Sequence, residues 1–116
     1  MAFSEMEQKR CEKIVSAYVE QRRPPPHIRK ELDISFRFKG QSVELFEVRP
    51  TWQGKPGEFT EHGIFKATFV KRSGTWKLYW LRADLKWHRY EPDPEVETLE
   101  DALAVCERDQ YGCFYG

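Results

Sequence analysis

The chain has 116 residues, 40% of them hydrophobic and 15% aromatic, and its formal net charge is zero. This length fits one hydrophobic core, so we expect a single domain over residues 1–116. No stretch approaches the roughly 20 apolar residues of a membrane helix, and no signal-peptide pattern is seen, so the sequence predicts a cytoplasmic protein without a membrane partner. Three widely spaced cysteines fit neither a disulfide framework nor a structural zinc site, and no phosphate loop appears, so no metal or cofactor is predicted.

The charges are divided unevenly along the chain. Residues 1–90 hold 18 basic and 11 acidic residues, whereas residues 91–116 hold one basic residue, Arg108, and eight acidic ones. Such a division is typical of a basic binding surface, of an acidic interaction tail, or of two parts of one fold that attract each other. The sequence leaves these three readings open.

The N-terminal segment is predicted to be a helix over residues 4–22. Ser4 followed by Glu7 is a capping-box pattern. An apolar stripe follows at helical spacing and consists of Cys11, Ile14, Val15, Tyr18 and Val19. The three prolines at 24–26 then end the helix, because proline lacks the amide donor and restricts the residue before it.

Residues 31–90 are predicted to form an antiparallel sheet of four or five strands. The first strand is indicated by alternation, since polar residues separate Leu32, Ile34, Phe36 and Phe38. A tight turn at residues 40–41 leads into the second strand, residues 42–49. There the apolar phase changes between Leu45 and Phe46, which indicates a β-bulge that re-aims the following side chains of Glu47 and Arg49.

The third strand is predicted to run from Phe65 to Val70. Pro50 ends the second strand, and residues 51–63 are rich in glycine and polar residues. We therefore expect a long loop there that carries Trp52 and His62. A hairpin turn at residues 73–74 follows the third strand.

The segment Trp76–Tyr90 is dense in both aromatic and charged residues. Its alternation predicts that Trp76, Leu78 and Trp80 face the core. A turn near Ala83 and Asp84 is expected to reverse the chain, and an alternative keeps residues 82–85 extended with a bulge. With the turn, Leu85 and Trp87 pack inward, and the outer face holds Lys77, Tyr79, Lys86, His88 and Tyr90.

The C-terminal part is predicted to end the sheet at Pro92 and Pro94 and to form a helix over residues 98–110. Thr98 with Asp101 is its capping pattern, and Gly112 is its expected C-cap. The apolar residues 113–115 are expected to dock on the body. The predicted fold class is therefore α+β, in helix-strands-helix order, with both helices packed on one face of the sheet.

Four strings carry a resemblance to a known family: GQSVELFEVRP, KATFVK, WKLYWLRADLKWHRYEP and YGCFYG. Together they resemble a family of short bacterial proteins catalogued as domain of unknown function 3024, over almost the whole chain. The resemblance implies a bacterial, cytoplasmic, stand-alone domain. It brings no catalytic assignment, so function is argued from the residues.

The first functional hypothesis is a non-enzymatic module that binds nucleic acid or another polyanion on the outer face of the sheet. Cations neutralise phosphates and aromatic rings stack on bases, and single-stranded binders combine the two. An ordinary solvated sheet face explains the same charges, which also discourage aggregation at strand edges. The predicted face holds Arg37, Lys39, Arg49, Lys66, Arg72, Lys77, Lys86, Tyr79, His88 and Tyr90 against Asp33, Glu44 and Glu47.

The second hypothesis is an enzyme. Asp33 followed by Glu47 and Arg49 faintly resembles the carboxylates and cation of a metal-dependent nuclease. Alternatively, Asp84 orients His88 as a base.

A third hypothesis is an interaction subunit or homodimer that uses Trp52 and an exposed strand edge. Taken together, the hypotheses make a candidate binding set of Glu47, Arg49, Trp52, Lys66, Lys77, Tyr79, Arg82, Asp84, Lys86 and His88.

Overall fold

Two helices pack on one face of an antiparallel sheet in the computed structural model, which describes residues 4–29, 31–50 and 58–115. The elements are α1 (Glu5–Arg22), β1 (Asp33–Lys39), β2 (Ser42–Pro50), β3 (Phe59–Val70), β4 (Thr75–Leu81), β5 (Trp87–Arg89), β6 (Glu95–Val96) and α2 (Leu99–Arg108). The sheet order is β1-β2-β3-β4-β5, and β6 pairs with the start of β4. This arrangement confirms the predicted α+β fold in helix-strands-helix order, although the sheet continues past the predicted end at Pro94.

Local capping fixes where α1 begins. Ser4 Oγ accepts the backbone N–H of Glu7 at 3.2 Å, and the Glu7 carboxylate accepts the Ser4 N–H at 3.3 Å. The predicted capping box is therefore confirmed. The buried residues of α1 recur every four positions, at Cys11, Val15 and Val19, and face the sheet.

The second helix begins as predicted but ends earlier. Thr98 Oγ1 accepts the Asp101 N–H at 3.0 Å, whereas the C-cap is Asp109 in the left-handed region, not Gly112. The Asp109 carboxylate also accepts the N–H groups of Phe114 and Tyr115, at 3.0 and 2.8 Å. This side chain turns the chain back onto the body, so the predicted docking of residues 113–115 is confirmed.

The expectation of a loop up to Gly63 is wrong, because β3 begins at Phe59. His62 is therefore a strand residue and lies opposite Glu47 of β2. Residues 59–62 are exposed, so nothing in this stretch imposes the alternation that marks a half-buried strand. Trp52, the other residue expected in this loop, lies outside the described residues.

The predicted irregularity between Leu45 and Phe46 exists, but the extra residue lies in β3. β2 pairs with β1 without interruption, whereas Leu45 lies opposite Phe65 and Phe46 opposite Gly63, which leaves Ile64 unpaired. Leu45 belongs to the core, and Phe46 is buried on the other side of the sheet. The phase change thus reflects a strand with apolar side chains on both faces, next to a bulge in its neighbour.

The β4–β5 turn has one residue more than the two-residue turn expected from the sequence. The extra residue exchanges the side chains that β5 places on the two faces of the sheet. Leu85 adopts φ 63°, and Arg82 and Lys86 are joined by a backbone hydrogen bond across the loop. Leu81 therefore pairs with Trp87. Since the side-chain period of a strand is two, a shift of one residue exchanges the two faces.

Four expectations for this hairpin are consequently wrong. Leu85 is 71% exposed and does not pack in the core. Trp87 lies on the outer face with Leu81, whereas Tyr90 is 1% exposed and packs against Phe114, with 4.8 Å between ring centroids. His88, opposite Trp80, also leaves the outer face.

Replacement of Leu85 by glycine should stabilise the protein by about 0.5–1 kcal/mol. A leucine with positive φ is strained by roughly 1–2 kcal/mol, and glycine removes that strain while adding entropy to the unfolded chain. Urea denaturation measures the free energy of unfolding. Ala83→Gly in the same loop, where φ is negative, is the control and should destabilise; equal effects of the two changes would contradict the assignment of strain to Leu85.

Candidate functional site

The face of the sheet opposite the helices, called the outer face below, carries a cross-strand row of polar and aromatic side chains. Direct pairing places the row across all five principal strands, as Arg37, Glu44, Lys66, Tyr79 and Arg89. Directly opposite residues of antiparallel strands point to the same side with Cβ atoms about 5 Å apart. The row is therefore a continuous surface that no described helix covers.

The outer face holds three cations that form no ion pair with a carboxylate of the described residues, and one of them lies near two aromatic rings. The Lys66 ammonium lies 5.8 Å from the Tyr79 ring centroid and 6.0 Å from that of Trp87. Within the described parts of the chain, no carboxylate lies within ion-pair distance of Lys66, Lys77 or Arg89. We call Lys66, Lys77, Tyr79, Trp87 and Arg89 the basic aromatic strip.

Trp87 reaches the strip because Gly63 leaves room for it. A Cβ atom on Gly63 would lie 2.9 Å from two ring carbons of Trp87, closer than packed carbon atoms approach. The indole therefore lies across the backbone of β3, where any side chain would displace it. Sequence reasoning missed both Trp87 and Arg89, since it assigned the opposite face to β5.

Arg37 at the far side of the row is already engaged. Its guanidinium lies 4.3 Å from the centroid of Phe46 and forms an ion pair with Glu61. Stacking of a guanidinium on a ring shields apolar surface that the helices do not reach. This end of the row is therefore mainly structural.

A second group of predicted residues lies at the β4–β5 turn. Asp84 accepts from the N–H of Lys86 at 3.0 Å and lies 2.8 Å from His88 Nε2. The hydrogen bond with His88 is the main reason that the pKa of the Asp84 carboxyl lies below its usual value. A cavity of about 340 Å³ begins beside this pair and is lined by Trp80, Arg82, His88, Arg89, Tyr90, Glu91, Pro92 and Cys113.

Cys113 is not an activated nucleophile in this cavity. Burial raises the pKa of its thiol, and so does the nearby Asp109. A thiol with a raised pKa stays protonated at neutral pH, whereas nucleophilic cysteines are thiolates.

The remaining predicted residues, Glu47 and Arg49, lie apart from both groups. Arg49 Nε donates to the Glu47 carboxylate at 3.2 Å. Both line a cavity of about 610 Å³ together with Thr60, His62 and the C-terminal segment at Phe114 and Tyr115. That segment contributes to this cavity and, through Cys113, to the one at the β4–β5 turn, so it lies between them.

The carboxylates of the nuclease-like hypothesis are not brought together. Asp33 lies opposite Val48, so Asp33 and Glu47 point to opposite faces. Arg23 holds Asp33 with two hydrogen bonds, at 2.9 and 2.8 Å. Among the residues that the structure describes, no group of three or more His, Cys, Asp or Glu side chains is arranged to hold a metal ion.

Comparison with known proteins gives one match, to the family model described as domain of unknown function (DUF3024), over residues 3–116. The chain belongs to the DUF3024 family. No curated protein and no solved structure matches it. None of the described helices of this DUF3024 protein is both long and apolar enough to cross a membrane.

The DUF3024 chain also contains a half-buried polar cluster that its sequence did not reveal. Tyr18 lies 2.7 Å from the Tyr115 hydroxyl and donates to Glu107 at 3.0 Å, while the Arg22 guanidinium lies 3.8 Å from the Tyr115 ring centroid. Burial raises the pKa of the neighbouring Cys106 thiol to about 12. The cluster joins α1, α2 and the C-terminal segment, and only their packing makes it recognisable.

Asp33→Asn should destabilise the protein by about 1 kcal/mol at neutral pH, and this loss should become smaller as the pH is lowered to 3. The Arg23 hydrogen bonds hold the pKa of Asp33 below its ordinary value. A lowered carboxyl pKa adds stability above the unfolded-state pKa of about 3.9, and that stability is lost as the pH falls through the folded-state pKa. Urea denaturation at both pH values measures this; a pH-independent effect would contradict the ion-pair role.

Proposed function

We propose that this protein is a cytoplasmic, non-enzymatic module that binds single-stranded nucleic acid on the outer face of its sheet. The observation that carries the proposal is the placement of the Lys66 ammonium within about 6 Å of the ring centroids of both Tyr79 and Trp87, on a face that no described helix covers. Lys77 and Arg89 extend the same strip and form no ion pair among the described residues, since Glu95, which lies opposite Lys77 in β6, accepts a hydrogen bond from Thr75.

The strip offers the two interactions that sequence-tolerant single-strand binding needs. The partly exposed rings of Tyr79 and Trp87 can offer faces on which bases stack, at about 1–3 kcal/mol per base. The three cations lie close enough to neutralise neighbouring phosphates, which releases counterions. An exposed sheet with stacking aromatics is also a common RNA-binding surface, and here no hydrogen-bonding code for particular bases is evident.

Tyr79→Ala should weaken binding of a single-stranded oligonucleotide by roughly tenfold or more, since one stacked base is lost. Lys66→Ala and Lys77→Ala should each weaken binding and lower the dependence of log K on log salt by about 0.7, the value for one phosphate contact on a single strand. Fluorescence anisotropy of labelled DNA and RNA over a salt series measures both quantities.

Matched controls are available on α1. Lys9 and Lys13 are exposed lysines on the helical side of the molecule, so Lys9→Ala and Lys13→Ala change the net charge equally but leave the strip intact. Equal losses in all four lysine variants would indicate attraction by net charge alone and contradict the proposal. Preference for a sulfated polysaccharide over oligonucleotides would assign the strip to another polyanion.

The hydrogen bond between Asp84 and His88 favours a second candidate, a hydrolase in which His88 acts as a general base. His88 lines a cavity together with Arg82, whose guanidinium is 5.4 Å from the Trp80 ring centroid. A carboxylate that fixes an imidazole is the usual orientation device for such a base. Both residues are substantially exposed, however, which equally suits a hydrogen bond that stiffens the turn.

His88→Gln separates the two roles of the Asp84–His88 pair. Glutamine retains a donor for Asp84 but cannot accept a proton, so a hydrolase would lose at least about 100-fold in turnover, the typical contribution of a general base. Phosphodiester and ester substrates with chromogenic leaving groups provide the assay. Activity that is unchanged in H88Q, or that is absent from the unsubstituted protein, would exclude His88 as a base for these substrates.

A further inference from the structure

The cavity near the end of β2 and the start of β3 has a polar floor built by two cross-strand pairs. Glu47 lies opposite His62, and Arg49 lies opposite Thr60. Glu47 also lies opposite Ile34, a core residue, so these pairs point to the side of the sheet that carries the helices. The cavity of about 610 Å³ contains no residue of α1 or α2 in its lining, so its floor is open to a ligand there.

The C-terminal segment forms the wall of this cavity, where Gly112, Phe114 and Tyr115 line it. The Phe114 ring lies 5.1 Å from that of Phe65 in the core, and the Asp109 carboxylate accepts the backbone N–H groups of residues 114 and 115. The wall is therefore held in place and partly apolar. Pockets for small ligands are concave spaces of about 300–1,000 Å³ in which a few polar groups converge beside apolar surface.

Arg49 has hydrogen-bond donors that remain for a ligand. Its Nε donates to the Glu47 carboxylate at 3.2 Å, which orients the guanidinium. The two terminal nitrogens of Arg49 have no acceptor among the described residues, and the side chain is 59% exposed. Two terminal nitrogens of one guanidinium bind a carboxylate or a phosphate through parallel hydrogen bonds. The free side of Arg49 is therefore suited to an oxyanion.

The carboxylates beside the cavity are each engaged by an arginine. Arg49 balances the charge of Glu47, whose side chain is 21% exposed. Glu61 also lines the cavity, but its carboxylate pairs with Arg37 of the outer face. His62 is exposed and offers a ring N–H, and an imidazole also carries positive charge when it is protonated. Two basic side chains of the floor thus accompany one paired carboxylate.

We propose that this cavity binds a small organic anion, whose carboxylate or phosphate group is held by Arg49 and His62. The apolar part of the ligand lies against the wall at Phe114 and Tyr115. Glu47 is a positioning residue, because it orients Arg49 and does not contact the anion. The site lies on the opposite side of the sheet from the basic aromatic strip and does not depend on the proposed nucleic-acid binding.

Titration with four probes, followed by the backbone amide signals in NMR spectra, tests the site. Benzoate and phenyl phosphate carry an oxyanion and a ring, whereas acetate and inorganic phosphate carry the oxyanion without the ring. The amide signals of His62 and Gly112 should shift saturably, and a ring should tighten binding by about fivefold or more because it adds apolar contact. The tighter ring-bearing probe decides between a carboxylate and a phosphate ligand.

Substitutions on the floor separate anion recognition from net charge. Arg49→Ala should weaken binding of the tighter probe by about tenfold or more, and Arg49→Lys should restore only part of it, since an ammonium lacks the paired donors. Arg72→Ala, at the exposed β3–β4 turn, removes the same charge and should leave binding unchanged. Glu47→Gln keeps an acceptor for Arg49 and should not weaken binding, whereas Glu47→Ala should.

Several results would overturn the proposal. These are the absence of a saturable shift with any probe up to about 10 mM, equal losses in R49A and R72A, or binding that R49A leaves unchanged. Circular dichroism verifies that each variant is folded, and His62→Ala, at an exposed position of the opposite strand, is a second variant that should weaken binding about threefold. Absence of oligonucleotide binding with anion binding intact would overturn only the proposed function.

Discussion

The structure depends on one constraint: the centre of the sheet is apolar on both faces, but helices cover only one. Leu45 and Phe46 are consecutive in β2 and both are buried, Leu45 in the core and Phe46 on the outer face. Without a helix above it, Phe46 is shielded by the Arg37 guanidinium. Burial of one large apolar side chain is worth about 1.5–3 kcal/mol, so this shielding matters for stability.

The bulge in β3 serves the same constraint from the neighbouring strand. Ile64 is the extra residue, and it joins the core next to Phe65, while Gly63 opposite Phe46 leaves the outer face flat. Trp87 lies across that flat position. The cations and rings of the outer face therefore have a packing role, and the same amphipathic side chains present a surface suited to stacked bases and phosphates.

The uneven distribution of charge is partly resolved within the chain. Glu107 of the acidic helix α2 lies 3.4 Å from Arg22 of α1 and accepts from Tyr18. The acidic segment thus packs on its own body at the helical side of the molecule. Lys66, Lys77 and Arg89, which form no ion pair among the described residues, lie on the other side of the sheet, so a surface available for binding is separate from the face that packs on the helices.

Sequence-based prediction succeeded where the signal is local. The N-cap residues Ser4 and Thr98 identified both helix starts, since the side chain that accepts the hydrogen bond lies three residues from its donor. The alternation of apolar and polar residues identified β1 and β4, because one face of each strand is buried. It missed the start of β3, where both faces are exposed and the residues carry no pattern.

The sequence by itself determined the α+β class, both helices, the core side of β4 and the presence of an irregularity beside Leu45. Tertiary structure alone decided which candidate residues share a face. A single additional residue in the turn, Leu85, exchanged His88 and Tyr90 for Trp87 and Arg89 on the outer face. Side-chain alternation has a period of two, so membership of the binding surface depends on a register that only the folded hairpin fixes.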